Sequence, residues 1–297
     1  MRITNTTVLL LASAALVYAA APEQEGESGV PNLFEAGTPA RASEVNENFE
    51  ALLQRIQVLE LQVADLTEKN EFFTVVAGDL EGMAGPHLLV QGANLHVRSG
   101  SGATADGGSP TGLGNLIVGY NELGGLSPAD RIGSHNLVLG ERNAYTAVAG
   151  SVAGSDNRID AQFATVSGGR FNLATGIYAS ILGGGGDANN LANIASGEYA
   201  ALVGGFRNMA TGDQAVVAGG SQNEATGFLA TVLGGVSNEA SGAGASVSGG
   251  AGNNAAGSNA SISGGQGGVA NGVASSISGG LNLTVNNDFD CGSCNDL

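Results

Sequence analysis

Cys291 and Cys294 stand three apart near the end of a 297-residue chain. Cys-x-x-Cys is the spacing of a redox pair, but thioredoxin-like chemistry needs a helix N-terminus in a βαβ setting, and the surrounding residues offer neither. For an exported chain a disulfide is the preferred reading, within one chain or between chains, stapling the last repeat. A zinc site shared across three chains is the weaker one. The chain has three histidines. His87 and His96 lie in stretches that read as strands, and would hold a metal only if a third ligand joined them. Serines are many, yet none stands with a histidine and a carboxylate in a recognisable motif, so the expectation is a non-enzyme without metal or cofactor. Candidate ligand contacts are instead Glu122, Asp130, Asp187, Asn189 and Asn190, in two stretches that exceed the repeat carrying the rest of the chain.

That repeat is marked by double glycines at Gly168-Gly169, Gly183-Gly184, Gly204-Gly205, Gly219-Gly220, Gly234-Gly235, Gly249-Gly250, Gly264-Gly265 and Gly279-Gly280. All intervals but one are fifteen residues. An asparagine follows most doublets (Asn172, Asn208, Asn223, Asn238, Asn253), then Ala-x-Gly, then a short apolar strand such as Ala230-Thr231-Val232-Leu233. Two extended pieces and two turn signals per unit suit one coil of a solenoid whose strands stack at roughly 4.8 Å. The column Val166, Ile181, Leu202, Val217, Val232, Val247, Ile262, Ile277 is expected to line a thin core. The small residues of the other columns leave room only for a narrow β-roll. Glycine, and after it asparagine, is expected at left-handed corners, with the asparagine amides stacked in a ladder. Counting from Gly119 to Gly280 gives about ten coils, a rod of roughly 50 Å. The excess stretches at 121–134 and 185–190 are expected to project as loops.

Repeats such as 230–242 resemble the head repeats of the YadA-like trimeric autotransporter adhesins of bacteria. The resemblance covers roughly residues 115–282. It implies a left-handed parallel β-roll assembled as a trimer, and an adhesive or fibrous role at a surface. Those heads usually repeat at fourteen residues, against fifteen here. Their C-terminal β-barrel anchor has no counterpart within the about seventeen residues after Gly280, so the protein is expected to be released or held by another component.

Residues 1–19 read as a secretory signal peptide: Arg2, an apolar run Val8 to Val17, and Val17-Tyr18-Ala19 as cleavage site. That predicts a secreted or cell-surface location, and no later run is long enough to span a membrane. Residues 20–42, rich in proline, glycine and glutamate, read as a flexible leader. Ser43 reads as the N-cap of a helix over 43–70 with Glu44 in its first turn. Phe49, Ile56 and Val63 fall at heptad position a, and Val45, Leu52, Leu59 and Leu66 at d, the seam of a parallel coiled coil. β-branched residues at a with leucine at d lean toward dimers. Arg55-Ile56-Gln57-Val58-Leu59-Glu60, however, resembles the Arg-h-x-x-h-Glu motif of trimeric coiled coils, h being apolar. There Arg55 covers the seam with its methylenes and meets Glu60 of a neighbour. The expected assembly is a homotrimer.

Residues 71–114 read as a β connector with strands near His87 to Gln91 and Asn94 to Arg98, 115–286 as the roll, and 287–297 as a tail. The formal charge is −17. Removing residues 1–19 takes away one base and no acid, leaving nine bases against twenty-seven acids. Nucleic acid is therefore not expected as a partner and an anionic membrane surface is a poor one, since both are held by clustered Lys and Arg. What remains is attachment to a surface, extracellular-matrix or glycan ligand. The rivals are an ice-binding or purely structural solenoid and a polysaccharide-active β-helix enzyme. A regular threonine array would favour ice binding, but its column reads Thr175, Ser196, Thr211, Thr226, Ser241, Ala256, Asn271.

Overall fold

The computed structural model describes residues 29–187 and 191–292. The signal-peptide reading, Asn189, Asn190 and Cys294 with its proposed disulfide lie outside the described residues. Two compact units divide at Leu95 and His96.

Among the described residues of the first unit one helix, α1 (Ala42–Lys69), runs for 28 residues. It begins two residues earlier than a Ser43 cap predicts. Arg41 is the N-cap residue, and its N–H donates to Glu44 Oε2 at 3.3 Å, so the acid three residues on reaches back to an amide that Ser43 could not have satisfied. The end of the leader lies along one flank: Asn32 N–H donates to Asn48 Oδ1 at 2.8 Å and Asn48 Nδ2 to the Asn32 carbonyl at 2.7 Å. A short antiparallel pair follows, β1 (Phe73–Val76) against β2 (His87–Val90). The strand expected at Asn94–Arg98 is not formed. The chain leaves β2 through Gly92, at φ 73°, and β2 takes its partner from the other side, at Phe73–Val76.

The second unit is a parallel β-solenoid. Each coil gives one strand to a 12-stranded sheet that starts at β3 (Leu116–Val118) and β4 (Leu137–Glu141), and one to a 10-stranded sheet that starts at Ala144–Tyr145. Ten coils contribute to both, in agreement with the glycine count. Most strands are only two residues long, as at Thr231–Val232, with one residue facing in. The column from Val166 to Ile277 is buried throughout, and alanines from Ala164 to Ala260 and from Ala174 to Ala270 fill the rest of the core. Side chains this small bury too little for one coil to offset its own ordering entropy, so coils are stable only stacked. Ser275 breaks the alanine column, and its hydroxyl is buried without a hydrogen-bond partner. Ser275→Ala is expected to raise stability by about 1 kcal/mol, read as a higher denaturant midpoint.

Three features differ from the sequence expectation. First, a third ladder of single bridges runs Phe206, Ser221, Val236, Ala251, Gln266, Leu281. Its residues face outward, so their types show no pattern. Second, the earliest coils advance by fourteen residues: Leu137 pairs with Ser151, and Ser151 with Thr165. These coils have one glycine, Gly140 or Gly154, where later ones have two. The fifteenth residue is therefore the first member of the doublet. Third, the asparagines that follow the doublets are not the left-handed residues, although Asn259 and Asn282 at other positions of the coil are. The residue before each of the former is, as at Phe171, Arg207, Gln222 and Ser237. Left-handed backbone there reverses the peptide. The Gln222 N–H donates back to Phe206 of the preceding coil, while Glu224 donates forward to Asn238.

The asparagines instead form a buried ladder. Asn223 Nδ2 donates to the carbonyls of Gly219 and Gly235 at 2.8 and 2.9 Å, and its Oδ1 accepts from the Asn238 N–H at 3.0 Å. The pattern recurs at Asn208 and Asn253, with Gly268 N–H as the last donor. Each amide thus holds its own coil's corner and the next coil's backbone at once. Among the described residues no helix is long and apolar enough to cross a membrane.

Candidate functional site

The first insertion borders a cleft. A cavity of about 560 Å³ is lined by Leu123 to Leu126 of the first inserted loop, by Ala192 just after the second, and by Arg142, Asp156, Arg158, Phe171 and Leu173 of the coils between. Pairing across the insertions preserves the sheet: Leu116 pairs with Leu137, and Ser180 with Ala201, each twenty-one residues on. The surplus residues of the first insertion therefore stand outside the ladder, and that loop is placed by the coils beneath it.

Charge ties the first loop down. Arg158 Nη1 donates to Asp130 Oδ1 at 2.7 Å and its Nε to Asp160 at 2.5 Å. Asp130 Oδ2 also accepts from the Ser127 N–H and hydroxyl. Arg131 donates to the carbonyls of Glu122 and Asn143. Asp130 is thus an anchor of the loop, Glu122 is held through its backbone with its side chain exposed, and Asp187 is exposed. A second network crosses the floor. Asp156 accepts two bonds from Arg142 at 2.8 and 3.0 Å and one from Arg170 at 3.0 Å, while Arg142 also meets Glu141 at 2.7 Å. The Arg170 guanidinium sits 4.6 Å from the Phe171 ring centre. Sequence reasoning missed Arg142, Asp156 and Arg170: Asp156 stands one fourteen-residue coil after Arg142, while Arg170 stacks on Ser155, the neighbour of Asp156.

These contacts set the protonation of the acids. The Arg142 guanidinium, then the Ser155 hydroxyl and Arg170, hold Asp156 well below the usual carboxylate range against the opposing effect of its burial. Arg158 and the Ser127 amide and hydroxyl lower Asp130 to about 2. A folded-state pKa below the unfolded value near 3.9 stabilises fully above that value, and the contribution is lost as pH falls through the folded one. Amide exchange in residues 121–134 is therefore expected to stay slow from neutral pH to about 4 and, after correction for the pH dependence of intrinsic exchange, to accelerate toward pH 2. Arg158→Gln is expected to produce the fast exchange at pH 7.

A serine, a histidine and a carboxylate do converge at the first coil. The Asp106 carboxylate accepts from the hydroxyls of Ser99, Ser101 and Thr111, and the Ser101, Ser134 and Ser99 hydroxyls keep it ionised far below its ordinary range. His135 Nε2 accepts from the Ser99 N–H at 3.0 Å, and its Nδ1–H donates to the Thr104 carbonyl at 2.9 Å. Both ring nitrogens are thus engaged by backbone, and the Ser99 hydroxyl points to Asp106. The Ser99 hydroxyl is turned to the carboxylate and not to the imidazole, and the group holds the segment leading into the roll onto its first coil. Its spacing matches no period, so nothing in the sequence marked it. His87 Nε2 lies 3.1 Å from the Met83 carbonyl, and His96 Nδ1 lies 3.3 Å from Arg98. Cys291 is exposed in the last strand.

No protein-family model and no curated protein matches the chain. The cleft and the roll surface around it are therefore read on their own chemistry. Arg142, Asp156 and Arg158 are paired with one another or with neighbouring acids, and the walls between them are leucine, phenylalanine and glycine. Such a site can hold a ligand by contact and by hydrogen bonds to fixed groups.

Proposed function

We propose that the chain is a non-enzymatic, exported fibre that assembles as a parallel homotrimer through α1 and attaches to a surface or glycan ligand through its roll. The observation that carries this reading is the state of α1. A 28-residue helix has no buried residue, and Phe49, Leu52, Ile56, Leu59, Val63 and Leu66 are all exposed, Phe49 at 60% and Val63 at 61%. The leader covers the flank at Asn48 and leaves this seam open. A continuous apolar stripe along a solitary helix has its partner in further copies of itself. Arg55 and Glu60 flank the stripe as a trimeric seam requires.

The test is Ile56→Asp with Leu59→Asp, which places two carboxylates in the seam. The helical signal of the wild type is expected to melt at a temperature that rises with protein concentration, as for any folded oligomer. In the variant the helix is expected to be lost at 25 °C while the roll keeps its β signal. A wild-type helix melt independent of concentration contradicts the assembly.

A further inference from the structure

At the corner that closes each coil, three consecutive coils place an aromatic residue in the left-handed region: Phe163 at φ 61°, Tyr178 at 59° and Tyr199 at 57°. Later coils put Gln214, Leu229, Gly244, Asn259, Ala274 and Phe289 there, of which glycine and asparagine adopt this conformation at the least cost. An aromatic side chain at such a corner works against the backbone, and here it also remains in solvent: the three are 39%, 45% and 52% exposed. Ile177 is exposed beside them, and Phe228 and Leu229 are exposed two coils beyond Tyr199.

The rings are ordered at the coil repeat. Centroids of Phe163 and Tyr178 lie 4.9 Å apart at 6°, and those of Tyr178 and Tyr199 5.0 Å apart at 3°. With ring planes in contact at about 3.5 Å, a 4.9 Å separation requires a sideways offset of about 3.4 Å. The rings overlap like shingles, and each leaves part of a face open. Their backbones are fixed, because the N–H groups of Phe163, Tyr178 and Tyr199 donate to Val148, Gln162 and Ile177 of the preceding coil. The exposed polar groups nearest the rings in the same two columns are Gln162, Glu198, Asp213 and Gln214, amides and acids without a base.

We propose that this aromatic rail is a binding track for a neutral, linear, β-linked hexose polysaccharide running along the roll axis, one sugar to a coil. The C–H face of a pyranose packs on an open aromatic face, and its hydroxyls bond to tyrosine hydroxyls, amides and carboxylates. A fully extended β-linked chain rises per sugar by close to the ring spacing, so the contact repeats without either partner bending. Carboxylates at Glu198 and Asp213 repel sulfated or uronic-acid polymers. The rail is pre-ordered, which keeps the entropy lost on binding small. The inference rests on the attachment reading above and specifies its ligand.

The experiment is retention of the full purified protein on microcrystalline cellulose and on chitin, with heparin and alginate beads as polyanionic controls. The comparison variant is Phe163→Asn/Tyr178→Asn/Tyr199→Asn. Asn259 already holds this corner at φ 56°, so the variant keeps its fold, verified by its β signal and mass. Retention of the wild type on at least one neutral polymer, weakened tenfold or more in the triple variant, is the expected result. Equal retention of both proteins, retention only on the polyanions, or no retention on either neutral polymer overturns the proposal. A lower mass for the variant would make the rail a contact between copies and also overturns it. Failure of the trimer reading would appear separately, in the wild-type mass.

Discussion

Alanine at Gly235 is expected to destabilise the roll by roughly 3 kcal/mol or more, while alanine at Gly234 is expected to stay within about 0.5 kcal/mol of the wild type. The two residues are neighbours in one doublet, yet the coil asks different things of them. Gly235 has φ 90°, and a Cβ there would lie 2.2 Å from the Gly250 carbonyl oxygen of the next coil. Gly234 has no atom within 4 Å of its would-be Cβ. The first substitution combines left-handed strain with a clash against backbone that cannot move without unstacking the next coil. The second adds a methyl group in open space. In a linear array each coil contacts only its neighbours, so damage at Gly235 separates the coils before it from those after it. Urea unfolding of the two variants checks this, with a lower midpoint expected for Gly235→Ala alone and a transition split in two.

Asn223→Ala is expected to cost about 3 kcal/mol, the second large effect. Removing the amide takes a hydrogen bond from each of the Gly219 carbonyl, the Gly235 carbonyl and the Asn238 N–H. Asn223 is buried in the corner between two coils, where a lost partner is not replaced at once by water. Asn223→Asp is expected to fall at least as far. Its carboxylate would still accept from Asn238 but would face the two carbonyl oxygens with no proton to donate. Chemical denaturation with the β signal as readout orders the three proteins. An alanine variant within 0.5 kcal/mol of wild type would mean that the ladder contributes nothing net.

The residues that face inward were legible because burial restricts their type. The Val166 to Ile277 column, the second glycine of each doublet and the glycine of Ala-x-Gly each answer a fixed requirement that recurs once per coil. The same period carried the ten-coil count and the placing of both insertions. Residues that face outward answer to no such requirement. Left-handed positions held by Arg207, Gln222 and Ser237 share a backbone conformation and no chemistry, so the corner was assigned one residue late, to the asparagine. The fourteen-residue coils were hidden because Gly140 and Gly154 stand alone. Arg142 and Asp156 come together only once that shorter step is known, and Arg170 joins them from its place over Ser155. At α1, Ser43 is the better capping residue by type, but Glu44 reaching back to Arg41 decides the start. Of the predicted ligand acids, Asp130 turned out to be an anchor for its loop because Arg158, twenty-eight residues on, lies two coils away.

The most direct test of the trimeric fibre is the mass of the purified full-length protein by multi-angle light scattering, in the presence of reductant so that Cys291 and Cys294 cannot join chains. The seam of α1 predicts a mass of three chains. A mass of one chain would contradict it and leave the exposed stripe from Phe49 to Leu66 without a partner.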